Sequence, residues 1–138
     1  MFRKDYIVRQ FEEFGKFLGI VFGLKANSQF TELEELINSS ALKFTNVEIE
    51  TAENLPDENL IETLTGKYHL KEPNLKMLAD LLYEKGMAYS KQFKENEADK
   101  VLKKALIIFE FVKENSLEID FSLDMHFKIA SLKQLLNK

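Results

Sequence analysis

Two histidines and one acidic pair are the residues whose types suit acid–base or metal chemistry. His69 and His126 lie far apart, and neither occurs in a His-Glu-x-x-His spacing, so a zinc site is not predicted. Asp80 and Glu84 lie one helical turn apart, as a general acid and a general base can. Lys76 lies one turn before Asp80, however, and this spacing favours a solvent-facing ion pair. We therefore predict no catalytic, cofactor-binding or metal-binding residues.

Composition argues against several other classes of function. The chain has no Cys, which excludes disulfides, thiolate metal sites and Cys nucleophiles and fits a cytoplasmic protein. The net charge is −4 and there is no long basic run, so nucleic acid is not an expected partner. Lys100, Lys103 and Lys104 form a small basic patch, but Glu97 and Asp99 flank it, and we predict that it faces solvent.

Size and composition predict one helical domain over residues 1–138. A chain of 138 residues buries roughly two thirds of its unfolded surface. Apolar residues make up 45% and charged residues 30%, which are ordinary globular values, so extensive disorder is not expected. Twelve Phe and no Trp indicate a core filled by rings without polar atoms.

The first helix is predicted over about residues 5–24. One face carries Ile7, Phe11, Phe14, Leu18 and Val21. Beyond Lys16 the polar face disappears, because Phe17, Ile20, Phe22 and Leu24 surround the axis. A helix that is apolar all round must be covered on more than one side. We favour insertion between other helices of the same chain; contact with a second subunit or a membrane surface are the alternatives.

Three glycines repeat every four residues in this helix, at Gly15, Gly19 and Gly23. Each costs about 1 kcal/mol against Ala unless packing compensates. Their spacing forms a groove without side chains, which another helix can approach closely. We favour an internal contact over one between molecules. The predicted interaction site therefore comprises Gly15, Gly19, Gly23, Phe17, Ile20, Phe22 and Leu24.

A second helix is predicted from about Phe30 to Thr45, which completes the N-terminal helices of residues 1–45. Ser28 or Thr31 can cap it, with Glu34 completing a capping box. Residues 46–72 are predicted as a connection with one short helix that begins near Pro56 and ends at Gly66. Alternating apolar and polar residues leave open whether residues 46–50 are extended or helical.

Residues 73–138 are predicted as a helical hairpin followed by a C-terminal helix. Small residues recur where the hairpin helices must approach, and larger residues fill the remaining space: Leu82, Gly86, Tyr89, Ala98, Leu102 and Ala105. This spacing resembles one tetratricopeptide repeat over about residues 79–112. It departs from that repeat at Phe93, where a turn glycine is common, and in lacking a proline after the second helix. The resemblance implies a helical protein-binding scaffold.

The hairpin alone cannot bury all of its apolar residues. Ile107 and Phe111 lie on the far side of its second helix, so a neighbouring helix must cover them. The last helix, from about Phe121, has two apolar faces, although residues 116–123 also alternate as a strand does. We predict an all-α fold of five or six helices, with the hairpin packed against the N- and C-terminal helices.

The segment Asp5-Tyr6-Ile7-Val8-Arg9 is the basis of a second resemblance. It resembles the start of a group of small uncharacterised bacterial proteins, in which such a stretch precedes a long apolar helix and a tetratricopeptide-like body. This resemblance implies a bacterial origin and provides no functional residues.

These observations favour a non-catalytic protein–protein interaction module that self-associates and binds a protein partner of unknown identity. A small apolar-ligand carrier with a Phe-rich interior is one alternative. A peripheral membrane protein that uses residues 17–24 is another, although the sequence does not favour a membrane partner.

Overall fold

The computed structural model describes the backbone of residues 2–115 and 122–137. Those residues form seven α-helices and no strand, which confirms the all-α class. The helices are α1 Phe2–Ala26, α2 Phe30–Thr45, α3 Ile49–Asn54, α4 Leu60–Gly66, α5 Glu72–Lys91, α6 Glu95–Asn115 and α7 Ser122–Leu136, and a 3₁₀ turn at Asp57–Asn59 precedes α4.

The additional helix, α3, lies in the segment that was predicted as a connection. It has six residues, which is too short for a periodic pattern to repeat, so the sequence predicted five or six helices. Ile49 and Ala52 are both buried and anchor this helix to the core.

The central helix of the fold is α5. It packs against α6 along its length, and α1, α2 and α3 also contact it. Leu75 and Leu82 are buried on one side, and Met77 and Leu81 are buried on another. The first helix packs on α2 and touches α5, whereas α7 packs on α6. The hairpin therefore contacts both the first and the last helix, as predicted.

The turn between α5 and α6 ends α5 in a Schellman arrangement. The Phe93 N–H donates to the Ser90 carbonyl at 3.0 Å, and the Lys94 N–H donates to the Tyr89 carbonyl at 2.9 Å. Phe93 has a φ of 63°, a conformation that favours glycine. The sequence position that departs from the repeat pattern is thus also the strained one.

The predicted cap of α2 is not formed. No side chain caps its first turn, and Gln29 occupies the N-cap position. Ser28 instead ends α1, with a φ of 58° and its N–H donating to the Lys25 carbonyl at 3.1 Å. Only three residues separate the two helices, so Ser28 cannot serve both ends. For α7 the sequence offers two candidate cap residues, Asp120 and Ser122, whose side chains lie outside the described residues.

The far side of α6 is covered as expected, but the second face of α7 is not. Ile107 and Phe111 are half-buried and pack against the core. On α7, Met125 and Ile129 are buried, whereas Phe127 is 73% exposed. Within the described part of the chain, none of the helices has both the length and the apolar content that a bilayer crossing needs.

Candidate functional site

The buried side of α1 is held by aromatic contacts with α2. The Phe14 and Phe17 rings meet the Phe44 ring edge-on, with centroids 5.2 and 5.3 Å away. Phe14 and Val21 are buried, and Leu24 is half-buried and packs against the core. Of the predicted interaction residues, Phe17 and Leu24 therefore belong mainly to the internal packing.

The opposite side of α1 is a continuous uncovered surface, which we call the outer face of α1. It comprises Val8, Gly15, Gly19, Phe22 and Ala26, which fall within about 60° of one another at 100° per residue. Val8 is 48% exposed and Phe22 is 62% exposed. The face runs for about 27 Å at 1.5 Å per residue.

The glycines are not covered by another helix of the described chain. A Cβ added at Gly15, Gly19 or Gly23 meets nothing within 4 Å. Ile20 is also 56% exposed. These findings correct the favoured interpretation, in which this end of α1 is inserted between helices of its own chain. The physical reason is that α1 packs on α2 and α5, and its buried residues Phe14 and Val21 lie on the side away from the outer face.

The C-terminal end of α1 is fixed to α5 by two lysines. Lys25 forms an ion pair with Glu84 at 2.5 Å, and its ammonium lies 5.0 Å from the centroid of the Phe22 ring. Lys91 donates a hydrogen bond to the Lys25 carbonyl at 3.1 Å. These contacts with α5 fix the C-terminal end of α1, and they therefore fix the position of Phe22 on the outer face.

Two opposite charges border the outer face of α1 on one flank. Glu12 and Lys16 are exposed, and neither makes an ion pair with a described residue. By contrast, Glu13 on the other side of the helix pairs with Lys43 at 3.6 Å. The flank of the outer face therefore carries charges that are free to meet a partner.

The acidic pair of α5 is buried, and the prediction of a solvent-facing ion pair is only half right. Asp80 is fully buried and accepts hydrogen bonds from Lys76 at 2.8 Å and Lys128 at 2.6 Å. Glu84, also buried, pairs instead with a lysine of α1. The ion pair exists, but α7 covers this side of α5 through Lys128. The two carboxylates engage different helices, so they do not converge as an acid–base pair.

Asp124 completes this charge cluster with distances of 3.1 Å to Lys76 and 3.4 Å to Lys128. Burial opposes the charge on Lys128, but the Asp80 carboxylate outweighs burial and raises the pKa of the ammonium. Burial likewise opposes the charge on Asp124, but Lys128 and Lys76 lower the pKa of its carboxyl group. The cluster therefore favours the charged forms of Lys128 and Asp124.

Similar pairs join the other short elements to the hairpin. Lys85 pairs with Glu53 of α3 at 2.6 Å, and Lys104 pairs with Asp57 at 2.6 Å. Lys104 is buried, which corrects its prediction as a solvent-facing residue; Lys103 remains exposed. Lys104 reaches Asp57 because the 3₁₀ turn lies beside α6, a position that the sequence did not predict.

A cleft of about 390 Å³ lies between α2, α3, α5 and α6. Its lining includes four carboxylates and two ammonium groups: Glu34, Glu50, Glu53, Glu97, Lys85 and Lys100. Tyr89 also lines it, and burial raises the pKa of the Tyr89 phenol. Such a surface suits polar groups, in contrast to the apolar chamber that a hydrophobic carrier needs.

The described residues contain no cluster of side chains that could bind a metal ion. No three His, Asp or Glu side chains in that part of the chain approach closely enough to hold a metal ion. His69 lies in an exposed turn with a φ of 57°, and His126 is exposed on α7. Comparison of the chain with protein families, with curated proteins and with solved structures found no match.

Proposed function

We propose that this protein is a non-catalytic interaction module that self-associates through the outer face of α1. The observation that supports this function best is the exposure of Val8 and Phe22 on a helix whose other side is well packed. Between them lie Gly15 and Gly19, where no described side chain or backbone fills the space. Exposed apolar patches of this kind commonly mark protein-binding surfaces.

We also infer that α5 and α6 form a tetratricopeptide-like scaffold. Gly86 lies against Leu102 at the crossing of the two helices, and Ala98 and Ala105 are buried there. Isolated repeats of this kind must bury further faces against neighbours. The packing of α1 on α5 and of α7 on α6 fits that requirement, and a protein partner remains part of the proposal.

The proposed relation to the small bacterial proteins rests on the N-terminal segment alone. Tyr6 and Arg9 are exposed there, so they are accessible to a partner. The side chains of Asp5 and Ile7 lie outside the described residues.

Sedimentation velocity over about 1 to 300 µM protein tests self-association, because weak interfaces have dissociation constants in that range. We expect the mass to rise from 16.1 kDa toward twice that value as concentration increases. Phe22→Glu should keep the protein monomeric, because it places a charge on the outer face. Phe127→Glu changes another exposed ring, on α7, and should have no effect. A monomer throughout this range contradicts self-association.

Exposure of Ile20 and Phe22 also favours the peripheral membrane alternative. Flotation with anionic liposomes distinguishes it. If the protein floats and Phe22→Glu abolishes flotation, the outer face serves a membrane surface; if it stays at the bottom, this alternative is excluded.

A further inference from the structure

We propose that the outer face of α1 binds the same face of a second copy, with the two helices antiparallel and a two-fold axis at Gly15. This inference rests on the proposed function, which requires self-association but not a particular arrangement. A two-fold interface uses the same patch on both copies, so the patch must be complementary to itself.

The apolar residues of the outer face fit this arrangement. With the axis at Gly15, Phe22 of one copy is level with Val8 of the other, since both lie seven residues from the axis. The large Phe22 ring thus meets a smaller side chain, and Gly15 at the axis allows the backbones to approach closely.

The charges select the antiparallel direction. In an antiparallel pair the two-fold axis is perpendicular to the helices, so the same flank of each helix lies on the same side of the interface. Measured along the helix, Glu12 then lies within about 3 Å of the level of Lys16 from the other copy. Two symmetric ion pairs result, and both use groups that have no ion pair within the described chain.

A parallel pair does not use these charges. Its two-fold axis runs along the helices, so the flank with Glu12 and Lys16 faces the opposite flank of the second copy. That flank carries Phe11 and Leu18, both half-buried and apolar. The charges would remain unpaired, and charge complementarity therefore favours the antiparallel arrangement.

Charge exchange tests the pairing in the full-length protein. Glu12→Lys and Lys16→Glu should each raise the dimer dissociation constant about 10-fold, because each places like charges together at two symmetric positions. The double variant E12K/K16E restores both pairs and should return the constant to within about 3-fold of the original value. Glu32→Lys makes the same charge change on the exposed side of α2 and should have no effect.

Disulfide trapping tests the position of the axis, because the chain contains no native Cys. Gly15→Cys should form an intermolecular disulfide rapidly, since residues at the axis lie within the Cα separation of about 4.4–6.8 Å that a disulfide allows. Gly66→Cys, at an exposed position of α4, is the matched control.

The outcomes separate this inference from the proposed function. If the protein dimerises but the double variant does not recover, or Gly15→Cys links no faster than Gly66→Cys, the arrangement is overturned and self-association stands. If the unmodified protein remains a monomer, both are overturned. Recovery together with rapid linking supports the antiparallel pair.

Discussion

Gly86 sets how closely α5 and α6 can approach. A Cβ added at this position would lie 2.5 Å from Cγ of Leu102 and closer still to its Cδ2 atom. Both residues are buried, so Leu102 has little room to move. The glycine is therefore required by packing, even though it lowers the intrinsic stability of the helix.

Gly86→Ala should lower the free energy of unfolding by about 1–2 kcal/mol, because the overlap with Leu102 outweighs the gain in helix propensity. Gly66→Ala is the control, since a Cβ there meets nothing within 4 Å and its φ is not positive. That change should stabilise the protein by up to about 1 kcal/mol. Urea unfolding measures both values; an equal stabilisation by the two changes would contradict the close contact.

At this scale the sequence predicted which residues must be small but not which of them are covered. The requirement for a small residue at Gly86 is confirmed, because this position lies in the apolar stripe of α5 and directly against Leu102 of α6. Gly15, Gly19 and Gly23 have the same residue type and a regular spacing, yet they are uncovered. Periodicity identifies a shared face, whereas coverage depends on where the other helices pack.

α7 packs on α6 and is joined to α5 by a buried ion pair. Lys128 reaches Asp80 at 2.6 Å from one side, while Lys76 reaches it from the same helix. Removing one partner of a buried carboxylate leaves charge that is only partly compensated. The attachment of α7 should therefore be sensitive to Lys128.

Lys128→Met should lower the free energy of unfolding by about 1–3 kcal/mol, because Asp80 then keeps only Lys76. Lys133→Met is the matched control on the same helix. Lys133 is exposed and meets Glu110 at 3.4 Å, so its loss should change stability by less than about 0.5 kcal/mol. Chemical denaturation at neutral pH compares the two; equal effects would show that burial of the ion pair contributes nothing.

The apolar pattern of α5 contains a signal for this buried cluster that ion-pair spacing alone does not give. Besides the stripe with Leu78 and Leu82, α5 carries Met77, Leu81 and Ala88 on another side, and all of them are buried. Two apolar stripes indicate a helix covered on both sides. Asp80 lies beside the second stripe. The spacing of Lys76 and Asp80 therefore indicated an ion pair, and the stripe indicated that this pair is buried.

For the whole molecule, four groups predict a loss of stability at alkaline pH. Burial raises the pKa of Tyr83 and Tyr89 above the ordinary 10.0. Burial opposes the charges of Lys85 and Lys128, but their carboxylate partners raise each pKa above 10.5. In each case the folded chain holds the proton more tightly than the unfolded chain. The contribution of these four groups to the free energy of unfolding is therefore fully present below pH 10 and is lost as pH rises through their raised pKa values.

At acidic pH the dependence of stability on pH has the opposite sign. Burial opposes the charges of Asp57 and Asp124, but lysines outweigh it and lower each pKa below 3.8. Their contribution is present above pH 3.8 and is lost as pH falls through the lowered values. Thermal unfolding from pH 2 to pH 12 should show a plateau between these limits; a maximum below pH 3.8 or above pH 10 would contradict the assignment.

The class of the fold was predictable because long helices repeat their apolar pattern many times. The packing of another helix against α6 followed from Ile107 and Phe111, which needed cover beyond the hairpin itself. The short α3 and the order in which helices pack were not predictable, since they depend on contacts between segments distant in sequence.

The pairing of buried charges has a further consequence for assembly of the chain. Asp80, Glu84 and Lys85 each engage a different helix, through Lys128, Lys25 and Glu53. A helix that packs one turn out of register would leave a buried charge without its partner, which is costly. Apolar contacts alone would tolerate the same shift. We therefore expect folding intermediates with incorrectly packed helices to be unstable. The chain should fold to one packing of its helices in a single cooperative transition.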